Sequence, residues 1–124
     1  MILSMGLAAC ASADAEVTRA ITGPVYSGVE TRLLQDDLVN FRVNVANASA
    51  DDATRYADCA AAQYTLIRGY GFARHIRTQI TPAADGSLTA DAVYTISPAL
   101  PRGPQTIDAE VVAASCGALG IPMV

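Results

Sequence analysis

Residues 51–68 constrain the fold more than any other stretch, because a helix start, a face of small apolar residues and a helix stop occur there in one run. Ser49 stands where an N-cap belongs, and Asp52 three residues later completes an S-x-x-D box. Asp51 and Asp52 also favour the positive end of the helix dipole, and Gly69 supplies the stop. Ala53, Ala57, Ala60, Tyr64 and Ile67 share one face, with Tyr56 beside them. A stripe this rich in alanine lets a helix lie close on a sheet. Cys59 falls at the margin of that face, within reach of a partner from another element. Asp51 and Arg55, four apart, are placed to pair on the solvent side.

The segments around this helix read as strands. Residues 38–45 alternate strictly, with Val39, Phe41, Val43 and Val45 on one side and Leu38, Asn40, Arg42 and Asn44 on the other, the pattern of a half-buried strand. Residues 29–34 form a weaker strand before it, and Gln35-Asp36-Asp37 turns the chain between the two. The paired acids there suit a turn better than a catalytic or metal-binding role, since Asp is common in exposed turns for its own backbone hydrogen bonds. After the helix, residues 70–80 place Phe72, Ile76 and Ile80 on one side. Residues 88–96 then place Leu88, Ala90, Ala92, Tyr94 and Ile96 together, and Asp85-Gly86 marks the hairpin turn between the two runs. Three prolines and a glycine in residues 97–104 make a rigid, extended connection.

The last segment supports two readings. Ile107, Ala109, Val111 and Ala113 alternate with acids as in a strand, whereas Ile107, Val111, Val112, Cys116 and Leu119 fall on one helical stripe. Asp108 and Glu110 suit a helix start and Gly120 with Pro122 punctuates an end, so we adopt a helix over residues 107–119. The order strand, strand, helix, strand, strand, helix predicts an α+β two-layer sandwich: an antiparallel sheet of about four strands with two helices on one face.

Charged residues make up 16% of the chain and the net charge is −4, which argues against binding a phosphate backbone and so against a nucleic-acid partner. All eight basic residues are arginine, a pattern that fits a GC-rich genome and carries no functional meaning.

The first ten residues are apolar and end in Leu7-Ala8-Ala9-Cys10. This ending resembles the lipobox of bacterial lipoproteins. The resemblance implies that residues 1–9 are a removed signal segment, that the Cys10 sulfur carries lipid, and that the domain works tethered in the cell envelope. The apolar part is short and no basic residue precedes it, so the signal is expected to begin upstream of Met1. Residues 10–24 read as a lipidated tether, small, polar and without apolar period, and residues 25–124 as one small domain. An uncharged Ala11 after the cysteine implies, for this class, the outer membrane facing the periplasm. The expected partners are the membrane, through the lipid, and an envelope protein or polymer.

With Cys10 assigned to lipid, Cys59 and Cys116 remain in a compartment where thiols oxidise, and a disulfide between them is expected. The alternative is two buried free thiols packed as small hydrophobes. A metal site is disfavoured, because His75 is the only histidine and no cysteines have C-x2-C spacing. No cofactor motif is present either: the glycines of Gly69-Tyr70-Gly71 follow a helix rather than precede one, the reverse of a phosphate cradle.

One cluster has chemical potential. Arg74, His75 and Arg77, with Arg68 at the helix end, are a candidate anion-binding group for a phosphate or carboxylate. On an unbroken strand His75 and Arg77 point to one side and Arg74 to the other, among Phe72 and Ile76, where it needs an acceptor or must reach the edge. The competing reading is a solvated strand face paired with acids such as Asp91 across the hairpin, and that reading is preferred. Catalysis is poorly supported, because a single histidine with no G-x-S-x-G elbow sets up no nucleophile and base.

The stretches Arg55-Tyr56-Ala57-Asp58-Cys59, Arg68-Gly69-Tyr70-Gly71-Phe72-Ala73-Arg74-His75 and Thr106-Ile107-Asp108-Ala109-Glu110 are similar to those of small uncharacterised lipoproteins of Gram-negative bacteria. That resemblance implies a location and supplies no activity. The expected role is a non-catalytic binding or assembly module, with an envelope enzyme or an anion binder built on Arg74, His75 and Arg77 as the alternative.

Overall fold

Two hairpins join edge to edge to make one antiparallel sheet. The computed structural model describes residues 23–122. In chain order the elements are β1 (Val25–Gln35), β2 (Leu38–Ala46), α1 (Ala50–Ile67), β3 (Phe72–Pro82), β4 (Leu88–Ser97), β5 (Thr106–Asp108) and α2 (Ala109–Ala118). The fold is α+β, with a five-stranded sheet in the order β1-β2-β4-β3-β5 and two helices. The signal segment and Cys10 lie outside the described residues.

The alternation of residues 38–45 places β2 at the heart of the molecule. Val39, Phe41, Val43 and Val45 are all fully buried, and across the β2–β4 ladder they face Tyr94, Ala92, Ala90 and Leu88. The other face of the same ladder is polar: Asn40 Nδ2 donates to Asp91 Oδ1 at 2.6 Å, Arg42 pairs with Asp91 at 3.4 Å, and Thr89 Oγ1 donates to Asn44. Asp91 is therefore held by β2, and not by His75 or Arg77 as expected from the hairpin.

Helix α1 begins as its sequence dictates. Ser49 accepts a hydrogen bond from the Asp52 amide while the Asp52 side chain accepts from the Ser49 amide, a closed capping box. Its buried face is Ala53, Tyr56, Ala57, Cys59, Ala60, Ala61, Ala62 and Thr65, and small side chains dominate because the helix packs directly on β2, β4 and β3. Two details differ from expectation. Ile67 is exposed, whereas Thr65 is buried and its hydroxyl bonds back to Ala61 O at 2.7 Å. Arg55 approaches Asp52 at 4.0 Å in place of Asp51, the neighbour one position nearer along the turn.

The C-terminal segment satisfies both of its sequence readings in succession. Thr106–Asp108 pairs with Phe72–Arg74 as a fifth strand, and the helix begins only at Ala109, with Asp108 as the N-cap that accepts from the Val111 amide. The expected four strands become five and the expected helix over 107–119 becomes Ala109–Ala118, since an Asp at the boundary caps a helix better than it continues one. Helix α2 packs on α1 and meets the sheet mainly at β5. The structure joins Cys59 of α1 to Cys116 of α2 as a disulfide, and both residues are buried.

Strand β3 contains an irregularity that the sequence pattern hides. His75 pairs with Tyr94 and Arg77 with Val93, so Ile76 is an extra residue in a β-bulge. Beyond it the phase of the strand shifts by one. Ala73 and His75 share the face of Tyr94 and α1, as do Thr78 and Ile80 past the bulge, while Phe72, Arg74, Arg77 and Gln79 lie on the polar face. Phe72 and Ile80 therefore occupy opposite faces, contrary to the unbroken alternation.

Candidate functional site

The bulge takes apart the expected anion-binding group. His75 faces α1, and Arg77 is exposed on the polar face. Arg74 is also on that polar face, its guanidinium against Gly103, with Nε buried and lacking a hydrogen-bond partner. Arg68 is engaged at the end of α1: it donates to the Tyr64 hydroxyl at 2.9 Å, approaches Asp37 at 3.8 Å, and lies over the Tyr64 and Tyr70 rings. His75, Arg77 and Arg68 thus do not converge on a common ligand.

What His75 does join is a cleft of about 270 Å³ lined by Thr54 and Asp58 of α1, His75 of β3, and Gln105, Thr106 and Ile107 at β5. The ring is held from both nitrogens. Nδ1 lies 2.8 Å from Gln105 Oε1 and Nε2 lies 2.6 Å from Thr78 Oγ1. A side-chain amide oxygen only accepts, so Nδ1 carries a proton, and in the neutral ring Nε2 accepts from the Thr78 hydroxyl. Gln105 has φ +62°, a left-handed conformation that costs a non-glycine residue energy, and its own carbonyl accepts from the His75 amide at 3.1 Å. Local strain is therefore maintained where the loop meets the histidine.

Asp58 supplies the charge. Its Oδ1 accepts from the hydroxyl of the fully buried Tyr94 at 2.5 Å. Burial pushes the Asp58 carboxyl above the usual aspartate range, and the Tyr94 hydrogen bond and nearby His75 offset part of that rise. Burial, with the Asp58 charge beside it, raises the Tyr94 phenol far above its ordinary value, so it stays a donor. The Tyr94 ring also meets His75 edge to face at 5.3 Å, which links the two polar groups through one buried aromatic.

The arrangement Thr78, His75, Gln105 repeats the order of nucleophile, base and orienting group. Thr78, however, is absent from the cleft lining, so a molecule in the cleft meets Asp58 and the histidine edge rather than the hydroxyl. Among the described residues no group of three or more His, Cys, Asp and Glu side chains is placed to hold a metal ion. Asp58 was missed from the sequence as a site residue. The available signal was an acid with alanine three and four positions ahead, Ala61 and Ala62, and so with no helical cation downstream to pair with it.

A second feature is the edge strand β1. Among the described residues its eleven residues pair on one side, with β2, and α1 packs mainly on β2, β4 and β3 and reaches β1 through Tyr56, whose ring meets Tyr26 at 4.8 Å. Val25, Leu33 and Leu34 are about half exposed there. Two register shifts, at Ser27 and Leu34, and the exposed Glu30 and Arg32 interrupt its apolar surface. Among the described residues no helix is long and apolar enough to cross a membrane.

Fold and site together define a small α+β domain with one antiparallel sheet, a disulfide between its helices, a polar cleft and an open sheet edge. The chain belongs to the YNQ4 C-terminal domain family, whose model matches residues 26–120. It is similar to an uncharacterised 26.9 kDa protein in the nqo8 5′ region of Paracoccus denitrificans, with 34% identity over 88 residues. That match spans 70% of this chain and 34% of the Paracoccus protein, so the chain covers about a third of its relative. No solved structure matches it.

Proposed function

We propose that the domain is a lipid-anchored, periplasm-facing binding module that assembles with an envelope protein by adding an extended segment of that partner to β1. The observation that carries this reading is the eleven-residue edge with half-exposed Leu33 and Leu34, which α1 meets near its start through Tyr56 on Tyr26. An open edge offers a row of backbone donors and acceptors, and main-chain pairing supplies affinity while side chains supply selectivity. The Glu30–Arg32 pair and the two register shifts restrict which strands fit.

The location in the envelope rests on Leu7-Ala8-Ala9-Cys10, and a Cys59–Cys116 disulfide is the chemistry an oxidising compartment favours. The same reading places both helices on one side of the sheet as a two-layer sandwich, with α2 fastened to α1 and the polar face of β2 and β4 left to solvent.

The test has two arms. A fatty-acid analogue should label the protein expressed from its full reading frame and fail to label Cys10→Ala; equal labelling of both, or of neither, overturns the anchor. Crosslinking in the native envelope should trap the wild type in a complex larger than the monomer, and Leu33→Lys with Leu34→Lys should abolish that species. A complex that survives the double variant removes β1 as the docking edge.

A further inference from the structure

We propose that the cleft between α1, β3 and β5 binds a primary ammonium or guanidinium group, with Asp58 as its counter-ion. A half-buried carboxylate ordinarily has a cationic partner, because leaving it unpaired away from water is costly. Asp58 has no arginine partner among the described residues, and the reasons are geometric. Arg55, one turn before it, turns to Asp52; Arg74 and Arg77 lie on the opposite face of the sheet; Arg68 is held by Tyr64 and Asp37. The fold thus directs each nearby arginine elsewhere and leaves the carboxylate, with His75 beside it, facing an open cleft.

The rest of the lining narrows the ligand chemistry. The Thr54 hydroxyl proton is committed to Ala50 O at 3.0 Å, the Thr106 hydroxyl proton to Gly103 O at 3.3 Å, and the Tyr94 proton to Asp58. With those protons used, the two threonines turn lone pairs toward the space, beside the carboxylate. Beside the Gln105 amide N–H groups, the carboxylate and these acceptors suit a group with several N–H donors, and the Asp58 charge disfavours an anion. Ile107 gives one apolar wall for an alkyl stem. The volume, about 270 Å³, falls below the range usual for drug-sized ligands and matches a group the size of one side chain. The histidine, with both nitrogens engaged, forms a fixed wall, and the strained Gln105 backbone keeps it there.

A free small amine and a lysine or arginine side chain on a docked protein both carry such a group, and the experiment separates the two. Titrating the disulfide-bonded domain with n-butylammonium and methylguanidinium under amide NMR should give saturable shifts confined to Thr54, Asp58, His75, Thr106 and their neighbours. Affinity should be on the order of millimolar, as one small charged contact gives. Butyrate at equal concentration should produce no such shifts. Asp58→Asn, which keeps an oxygen for Tyr94, should weaken binding about tenfold, the scale of a lost charge-assisted hydrogen bond. Should Asp58→Asn fail to fold, Thr54→Val, which removes one acceptor at the rim, should weaken binding severalfold. No saturable shift in the wild type, equal shifts from butyrate, or unchanged affinity in both variants overturns the proposal. A blocked lysine peptide that binds more tightly than butylammonium assigns the group to a protein partner, and the reverse order assigns it to a free amine; either supports the ammonium site. Because Leu33 and Leu34 do not line the cleft, failure here leaves the β1 docking reading standing, and its failure leaves this one.

Discussion

The two helices are held by different means. Helix α1 is eighteen residues long, closed at its start by a reciprocal cap, and buries eight residues against three strands and α2. Helix α2 has ten residues and a single charge, Glu110, yet buries only Ala109 and Cys116, while Val111 is 65% exposed. Packing secures the first. The second depends on a covalent bond, a β-strand leading into it, and Ile121, which returns to the core just past its end. Apolar composition alone does not bury a helix: the alanine face of α1 matches the sheet closely, whereas α2 lies along α1, buries two of its residues and is tied there by the disulfide.

The largest test of this contrast strikes the surface under α1. Phe41→Ala should cost about 3–5 kcal/mol in denaturant unfolding, because a fully buried ring that meets both Tyr64 and Tyr94 is lost. Both helices should melt together. Next, Cys59→Ala with Cys116→Ala should cost up to about 4 kcal/mol, the chain-entropy value for a closure of 57 residues. Hydrogen exchange should then rise first in α2; uniform loss across both helices would mean that the bond serves α1 equally. Removing the caps is a smaller perturbation. Ser49→Ala should cost about 1 kcal/mol, and Asp108→Ala about the same, read by thermal melting.

Of the two helices, α1 is the one whose stability should respond to pH. Because burial favours the protonated form of Asp58 in the folded chain, stability should fall as pH rises from the ordinary aspartate value through the raised one. Asp58→Asn should flatten that slope in pH-dependent denaturant melts, and an unchanged slope would assign it to other carboxyls. The smallest effect is Val111→Ser, within about 0.5 kcal/mol, since that side chain is already in water.

Much of this contrast is legible in the sequence. Strict alternation marked β2, the S-x-x-D box marked the start of α1, and a count of three cysteines suggested the bridge. These signals are local or combinatorial, so they survive without coordinates. The strand β5 spans three residues, too few for a period to register. The bulge at Ile76 escaped because a period of two counts residues and not partners, and one unpaired residue reverses the faces of everything after it. The site was misplaced for that reason: His75 and Arg77 looked like neighbours, and the residue that does stand by the histidine, Asp58, comes from a helix seventeen positions away.

The unpaired Ile76 also makes β3 a strand with two addresses. Its first half is registered by β5 and the Pro-rich connection, its second half by the tip of the hairpin with β4. Deleting that one residue would leave His75 opposite Tyr94 and Arg77 opposite Val93 in unbroken alternation, so Thr78 and Ile80 would keep their interior seats. The spare residue is therefore slack in the strand: losing it would cost the local bend and added twist and leave the polar cleft joined to the wall that encloses it.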